Sequence, residues 1–106
     1  MTVHKMSESL PLRVLNQEED RIVRGVFCCD LLSVAMAKAP EDSAWVTVIG
    51  NANTVAVATL ADVACIVLSE GYSFDEAAIN AANGKIALLQ SDKPTYETAV
   101  SIGEVL

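Results

Sequence analysis

With a single histidine, three cysteines and only 5% aromatic residues in 106 positions, the chain is short of the groups on which most chemistry rests. His4 lies in an N-terminal segment read as mobile, so Ser-His-Asp and Cys-His mechanisms lack a positioned base. Cys28, Cys29 and Cys65 form neither a CxxC nor any paired spacing. A disulfide framework and a zinc site are not suggested, and buried thiols acting as small hydrophobes are the expectation. The five glycines satisfy neither GxxxxGK[ST] nor GxGxxG, so the common phosphate-cradling loops are missing. Long apolar runs are absent too: Thr54 to Leu68 is too short to cross a bilayer and is interrupted by Asp62, and Met1 to Leu10 lacks the apolar core of a signal peptide. A cytoplasmic protein is expected.

Positive charge is the other shortage. The formal net charge is −7; residues 1–25 hold four basic and four acidic groups, and residues 26–106 hold three basic and ten acidic. Nucleic-acid binding needs a basic footprint that displaces counterions from phosphates, so DNA and RNA are discounted as partners. An anionic membrane surface is disfavoured for the same reason. The acidic excess reads as a solubilising surface.

Aliphatic residues are abundant. The apolar share is 52% and fifteen residues are alanine, a composition that packs closely with little bulky filling. The length suits one domain over residues 1–106, marginal in surface-to-volume terms, and such a chain is expected to bury surface against a second copy as a homodimer or larger.

Thr2 can cap a short helix ending near Leu10-Pro11, and Leu12 to Leu15 reads as a short edge strand before a polar turn at Asn16 to Asp20. Ile22 to Cys29 reads as a strand in which Gly25 marks a bulge or a close backbone approach. Asp30 is then an N-cap for a helix burying Leu31, Leu32, Ala35, Met36 and Ala39, with its exit at Pro40. Trp45 to Ile49 is a second strand. Asn53 can cap a helix through about Val63, apolar on nearly all sides and therefore expected to be central. Cys65 to Leu68 has the continuous apolar run of a buried parallel strand. Ser73 and Glu76 have capping-box spacing for a helix that ends through an αL cap at Asn83-Gly84. Ile86 to Leu89 is a further strand, and Pro94 opens a last helix with Tyr96, Ala99, Val100 and Gly103 on one face. Strands alternating with helices predict a single three-layer α/β domain, its mostly parallel sheet flanked by helices with right-handed crossovers.

Such sheets collect ligands at the carboxyl ends of their strands. Four turns should gather there: Cys29 to Ser33, Gly50 to Thr54, Ser69 to Ser73, and Gln90 to Asp92. Asp30, Ser33, Gly50, Asn51, Asn53, Thr54 and Gly71 are the candidate ligand-binding residues, with Gly50 to Thr54 the best placed, because free N–H groups at a helix start hold an anionic or carbonyl oxygen. Asp30, Glu70 and Asp92 weaken a phosphate site, and their spacing matches no known cation loop. Arg21 and Arg24 lie away from that edge. Either they pair with Glu18, Glu19 or Asp20, or they meet a phosphate or a partner's carboxylate.

The series Asp20-Arg21…Gly25, Asp30-Leu31-Leu32-Ser33…Met36, Trp45-Val46-Thr47, Asn53…Ala56-Val57-Ala58, Ile66-Val67-Leu68…Gly71 and Asp75-Glu76 resembles the DRTGG domain family from about Leu12 to the C-terminus. Domains of that family look similar to the N-terminal domain of HPr kinase. They occur as stand-alone small proteins, in some phosphate acetyltransferases, and beside CBS domains in regulated pyrophosphatases, as regulatory or oligomerising parts. Two positions depart from the pattern. Arg24 and Val26 replace the threonine and second glycine of the naming motif, and Asn51 stands where the family shows a histidine, so a histidine proton switch there is excluded. The resemblance implies a non-catalytic regulatory or protein-interaction module, homo-oligomeric and acting on a metabolic or redox enzyme, without cofactor or metal. The alternative is a small-molecule sensor binding an adenine nucleotide at the strand-to-helix turns.

Overall fold

The computed structural model describes residues 1–16 and 19–106; Gln17 and Glu18, inside the expected Asn16 to Asp20 turn, lie outside the described residues. The Thr2 side chain accepts from the Lys5 amide and starts α1 (Val3–Ser9). There follow β1 (Arg13–Asn16), β2 (Gly25–Cys28), α2 (Leu32–Lys38), β3 (Ser43–Thr47), α3 (Ala52–Ala61), β4 (Cys65–Leu68), α4 (Glu76–Ala82), β5 (Ala87–Gln90) and α5 (Thr95–Val105). The strands form one sheet in the order β1-β5-β4-β3-β2. β2, β3, β4 and β5 are mutually parallel, and β1 closes the far side antiparallel to β5. Three layers result, as expected of strands that alternate with helices.

Period-two alternation along each strand divides the core between the two faces. Trp45, Ile66, Leu68 and Leu88 point to one side, where they pack with Ala35 of α2, Val55 and Ala58 of α3, and Ala78 and Ala82 of α4. Val46, Val67, Leu89, Ala44 and Cys65 point to the other and meet Val3 and Met6 of α1 and Ile102 of α5. Every residue of β3, β4 and β5 is buried. Each fully buried Ile, Leu or Val contributes about 1.5–3 kcal/mol relative to exposure, so these three strands hold most of the apolar driving force. Trp45 is wholly buried and donates its indole N–H to the Cys29 carbonyl at 2.9 Å, which satisfies its one polar atom.

Several local expectations shift. β2 begins at Gly25, with no bulge, and a Cβ there would meet nothing within 4 Å, so neither distortion nor close approach explains this glycine. Asp30, Asn53 and Ser73 are not helix caps. The Asp30 carboxylate accepts instead from the Thr47 hydroxyl at 2.8 Å and the Val48 amide at 3.1 Å, and α2 starts at Leu31 with no side-chain cap. Asn51 caps α3 by accepting from the Thr54 amide, while Asn53 sits exposed inside the helix. Asp75 caps α4 by accepting from the Ala78 amide. The chain stays extended until then because the Phe74 amide is taken by the Gln90 side chain at 3.0 Å.

The helices are also less covered than their patterns predict. Leu31 is 59% exposed, Met36 is exposed, and of α2 only Ala35 is fully buried. α3 buries Thr54, Val55, Val57 and Ala58 but leaves Leu60 72% exposed, so it is a surface helix and not a central one. Nothing packs outside the single helical layer on that face, so a helix apolar all round still shows one side to solvent. On α5 the buried residues are Thr98 and Ile102; of the expected Tyr96-Ala99-Val100-Gly103 face, Tyr96, Val100 and Gly103 are exposed and only Ala99 packs against the core. Among the described residues no helix is long and apolar enough to cross a membrane.

Two glycines test the backbone account with opposite signs. Gly84 has φ +75° after α4, but Asn83 before it is extended (φ −58°, ψ 124°) and the Lys85 amide donates to the Ala82 carbonyl, so the helix stops in a type II turn and not in the expected αL cap; Gly103 lies within α5, and a Cβ at either glycine meets nothing within 4 Å. Gly84→Ala is expected to destabilise by about 1 kcal/mol and Gly103→Ala to stabilise by about 0.5–1 kcal/mol, measured by urea unfolding.

Candidate functional site

The parallel strands bring the four expected turns to one edge of a single chain, where those after β3, β4 and β5 bond to one another and the Cys29–Ser33 turn bonds to the end of β3. Gly50 lends its carbonyl to the Asp75 amide at 3.0 Å, joining the turns after β3 and β4. The Glu70 amide donates to the Lys93 carbonyl, the Gly71 amide to the Ser91 carbonyl, and the Thr95 amide to the Glu70 carboxylate, which joins the turns after β4 and β5. The Ser69 and Thr95 hydroxyls bond each other, as do those of Ser91 and Thr98. Most of the edge's polar groups therefore already serve the fold.

The candidate residues take their places in this network. Asp30 ties β2 to the end of β3, and Asn51 and Thr54 satisfy each other at the start of α3, with the Thr54 hydroxyl also donating to the Asn51 oxygen. Gly71 has φ +74° and no neighbour within 4 Å of an added Cβ. Ser33 and Asn53 are exposed on the first turns of their helices. Gly50 is constrained by packing: a Cβ there would lie 2.6 Å from Leu68 Cδ1, 2.9 Å from the Ser73 carbonyl oxygen and 3.0 Å from Phe74 Cα. β2, β3, β4 and β5 follow one another in sequence and in space, and the helices between them pack in one cluster on one face. The parallel part of the sheet has no reversal, which is where open α/β sheets form their binding cleft.

A cavity of about 330 Å³ lies at the opposite edge, lined by Glu19, Arg21, Asp62, Ala64, Lys85, Ile86 and Ala87. A shallower one of about 200 Å³ runs between α3 and α4, lined by Val55, Ala56, Leu60, Ala81 and others. None of the candidate ligand residues lines either. Arg21 is the organised group of the larger cavity. Its Nη1 donates to Asp62 Oδ1 and to the Val63 carbonyl, both at 2.9 Å, and its Nη2 donates to Asp42 Oδ1 at 2.6 Å and to the Asp62 carbonyl at 3.0 Å. Among the described residues the acids paired with Arg21 thus come from the turns before β3 and β4, not from Glu19 or Asp20; Glu18, also expected as a partner, lies outside the described residues. Arg24 likewise lies 3.4 Å from Asp42, in an exposed pair. Asp42 and Asp62 both adopt positive φ, 63° and 60°, a conformation that aspartate tolerates better than most residues. Nothing in the local sequence around Arg21 marks these distant partners; the two aspartates preceding strands are the one available signal.

Burial works against the Arg21 charge, but hydrogen bonds and the charges of Asp42 and Asp62 outweigh it and raise its pKa. The hydrogen bond from Arg21 holds the Asp42 carboxyl below its ordinary 3.8. At the other side of the sheet Arg13 and Asp92 pair at 2.8 Å, with the same sense of shift on each. Among the described residues the cavity's charged lining is Arg21 and Lys85 with Glu19 and Asp62, and its arginine is already engaged. Among the described residues no three His, Cys, Asp or Glu side chains gather as a metal site.

The cysteines divide. Cys65 is fully buried, and burial pushes its thiol up to about 12. Cys29 is half-buried, with Sγ 3.4 Å from the Leu31 carbonyl, and Cys28 is exposed, so the expectation of buried thiols holds for Cys65 and fails for Cys28.

No protein-family model matches the chain, and no curated protein matches it significantly.

Gly50→Ala is expected to destabilise by about 2 kcal/mol, since the Leu68 methyl can yield but the Ser73 and Phe74 backbone cannot; thermal unfolding checks this. Arg21→Met should cost about 2 kcal/mol at neutral pH by stranding carbonyls and carboxylates. The folded pKa of Asp42 is depressed, so its pairing contributes stability above the ordinary carboxylate value and loses it as pH falls through the lower folded value. The gap between wild type and Arg21→Met should therefore narrow below about pH 4 in urea titrations.

Proposed function

We propose that this chain is a non-catalytic regulatory or protein-interaction module of the DRTGG type, homo-oligomeric, which acts on a metabolic or redox enzyme by docking. The observation that carries the reading is a contrast between the two kinds of surface. The polar turns that would hold a ligand bond mainly to one another, whereas large apolar side chains stand out from the helices: Leu31, Val34 and Met36 on α2, Leu60 on α3, Tyr96 and Val100 on α5. Exposed apolar side chains on neighbouring elements mark protein–protein contact more often than small-molecule chemistry.

The alternative, an adenine-nucleotide sensor, is favoured by one observation, the meeting of the four turns within one chain. One pair of measurements separates the readings. Light scattering at micromolar concentration is expected to give at least a dimer mass; a monomer overturns the oligomeric module. A thermal-shift panel of ATP, ADP, AMP, dinucleoside polyphosphates and divalent cations is expected to be flat. Saturable stabilisation of about 2.7 kcal/mol at a hundred times the dissociation constant would replace the module with the sensor.

A further inference from the structure

α3 is the middle helix of its layer, packed between α2 and α4. From Asn51 to Ala61 it carries no charged residue, and its outward positions Asn53, Ala56, Thr59 and Leu60 recur at the three- and four-residue spacing of one helix face. A helix face meant for solvent ordinarily carries charge, and this one ends instead in the exposed Leu60. Beside Leu60 runs the groove of about 200 Å³ between α3 and α4, walled by Ala52, Val55, Ala56 and Ala81, with Lys85, past the end of α4, at its rim. A large side chain and a row of small ones thus share one surface, as a contact between two identical faces requires.

We propose that the outer face of α3 receives a second copy of this chain, the two α3 helices crossing antiparallel at Ala56 about a two-fold axis, with each Leu60 seated in the other copy's α3–α4 groove. The inference rests on the oligomeric reading above and gives it a surface. Pairing centred on Ala56 sets Leu60 against Ala52 of the partner subunit and Asn53 against Thr59 of the partner subunit, so large meets small and polar meets polar. Charge selects the direction. α2, α3 and α4 each connect successive parallel strands and so run the same way, and the bond from the Asp75 amide to the Gly50 carbonyl sets the starts of α3 and α4 side by side. A two-fold axis across α3 therefore lays α4 antiparallel over α4 of the partner subunit. Lys85, exposed at the end of one, comes to Glu76 of the partner subunit, exposed at the start of the other, and opposite charges meet twice. An axis along α3 would instead lay α4 over α2 and set Lys85 beside Lys38 of the partner subunit. The antiparallel contact is isologous and closed, so both faces are consumed and a dimer results.

The test uses the whole chain. Ala56 and Leu60 are exposed in the single chain, so Ala56→Lys, which sets like charges together on the axis, and Leu60→Ala, which empties both grooves, should leave circular dichroism unchanged. Each is expected to raise the dimer dissociation constant about tenfold or more in analytical ultracentrifugation. Lys85→Glu sets like charges together twice and is expected to raise it several-fold at low salt, whereas Lys85→Glu combined with Glu76→Lys exchanges the charges and should return it close to the wild-type value. A wild-type dimer left as tight by Ala56→Lys or by Leu60→Ala overturns docking on α3 and leaves the oligomeric reading standing. So does a charge-exchanged double variant no tighter than Lys85→Glu alone. A wild-type chain that stays monomeric at high micromolar concentration overturns both.

Discussion

Arg21 occupies the point where two of the sheet's three inner strands, β3 and β4, begin. β3 and β4 each follow an aspartate in the left-handed conformation, and Arg21 reaches both, taking the side chains of Asp42 and Asp62 and the carbonyls of Asp62 and Val63. The Asp42 amide also donates directly to the Asp62 carbonyl. Without a shared cation, two carboxylates and their neighbouring carbonyls would converge with nothing between them, so the parallel register of β3 and β4 depends on a planar, five-donor group placed there. The residue before it completes the tie. The Asp20 carboxylate accepts from the His4 amide, and the Arg21 carbonyl accepts from the Val3 amide, which fastens α1 to the same corner. Two adjacent residues thereby join the N-terminal helix to the sheet.

Once both ends of the strands are seen, two residues of the surviving Asp20-Arg21…Gly25 pattern have a structural explanation. Asp20 holds the start of α1 and Arg21 braces β3 and β4, whereas nothing in the structure explains Gly25. At the carboxyl ends, residues that resemble ligand-holding groups do similar work: Asp30 secures β3, Asn51 caps α3, and Gly50 lets Ser73 and Phe74 approach. The parallel strands advance in one direction without a reversal, and the polar groups of their loops turn largely to one another. Outside these contacts the helices keep large apolar side chains exposed.

Alanine content connects these features. Small side chains let α2, α3 and α4 sit close in one layer against the sheet. They also leave the layer thin, so the outward residues of each helix, Leu60 above all, are covered by nothing in the chain itself. The driving force is concentrated in the three inner strands and the few large side chains that meet them.

The α/β class, the buried run at Cys65 to Leu68 and the helix stop at Gly84 were legible in the sequence, because each follows from local chemistry: a period, a run of β-branched residues, a glycine with positive φ. Helix starts were misplaced by one or two residues wherever a cap competed with a distant partner. Asp30 went to Thr47, and Gln90 held Phe74 in place until Asp75 could cap. Which face of an apolar helix is buried was not legible either, since α3 and α5 carry apolar residues on more than one side and only the neighbouring layer decides. The sequence by itself determined the elements and their class. Tertiary structure alone decided the partners of Arg21, the bonds between the turns at the carboxyl edge, and which strands lie at the sheet's two edges, because each is set by groups far apart along the chain that meet only when the sheet is assembled.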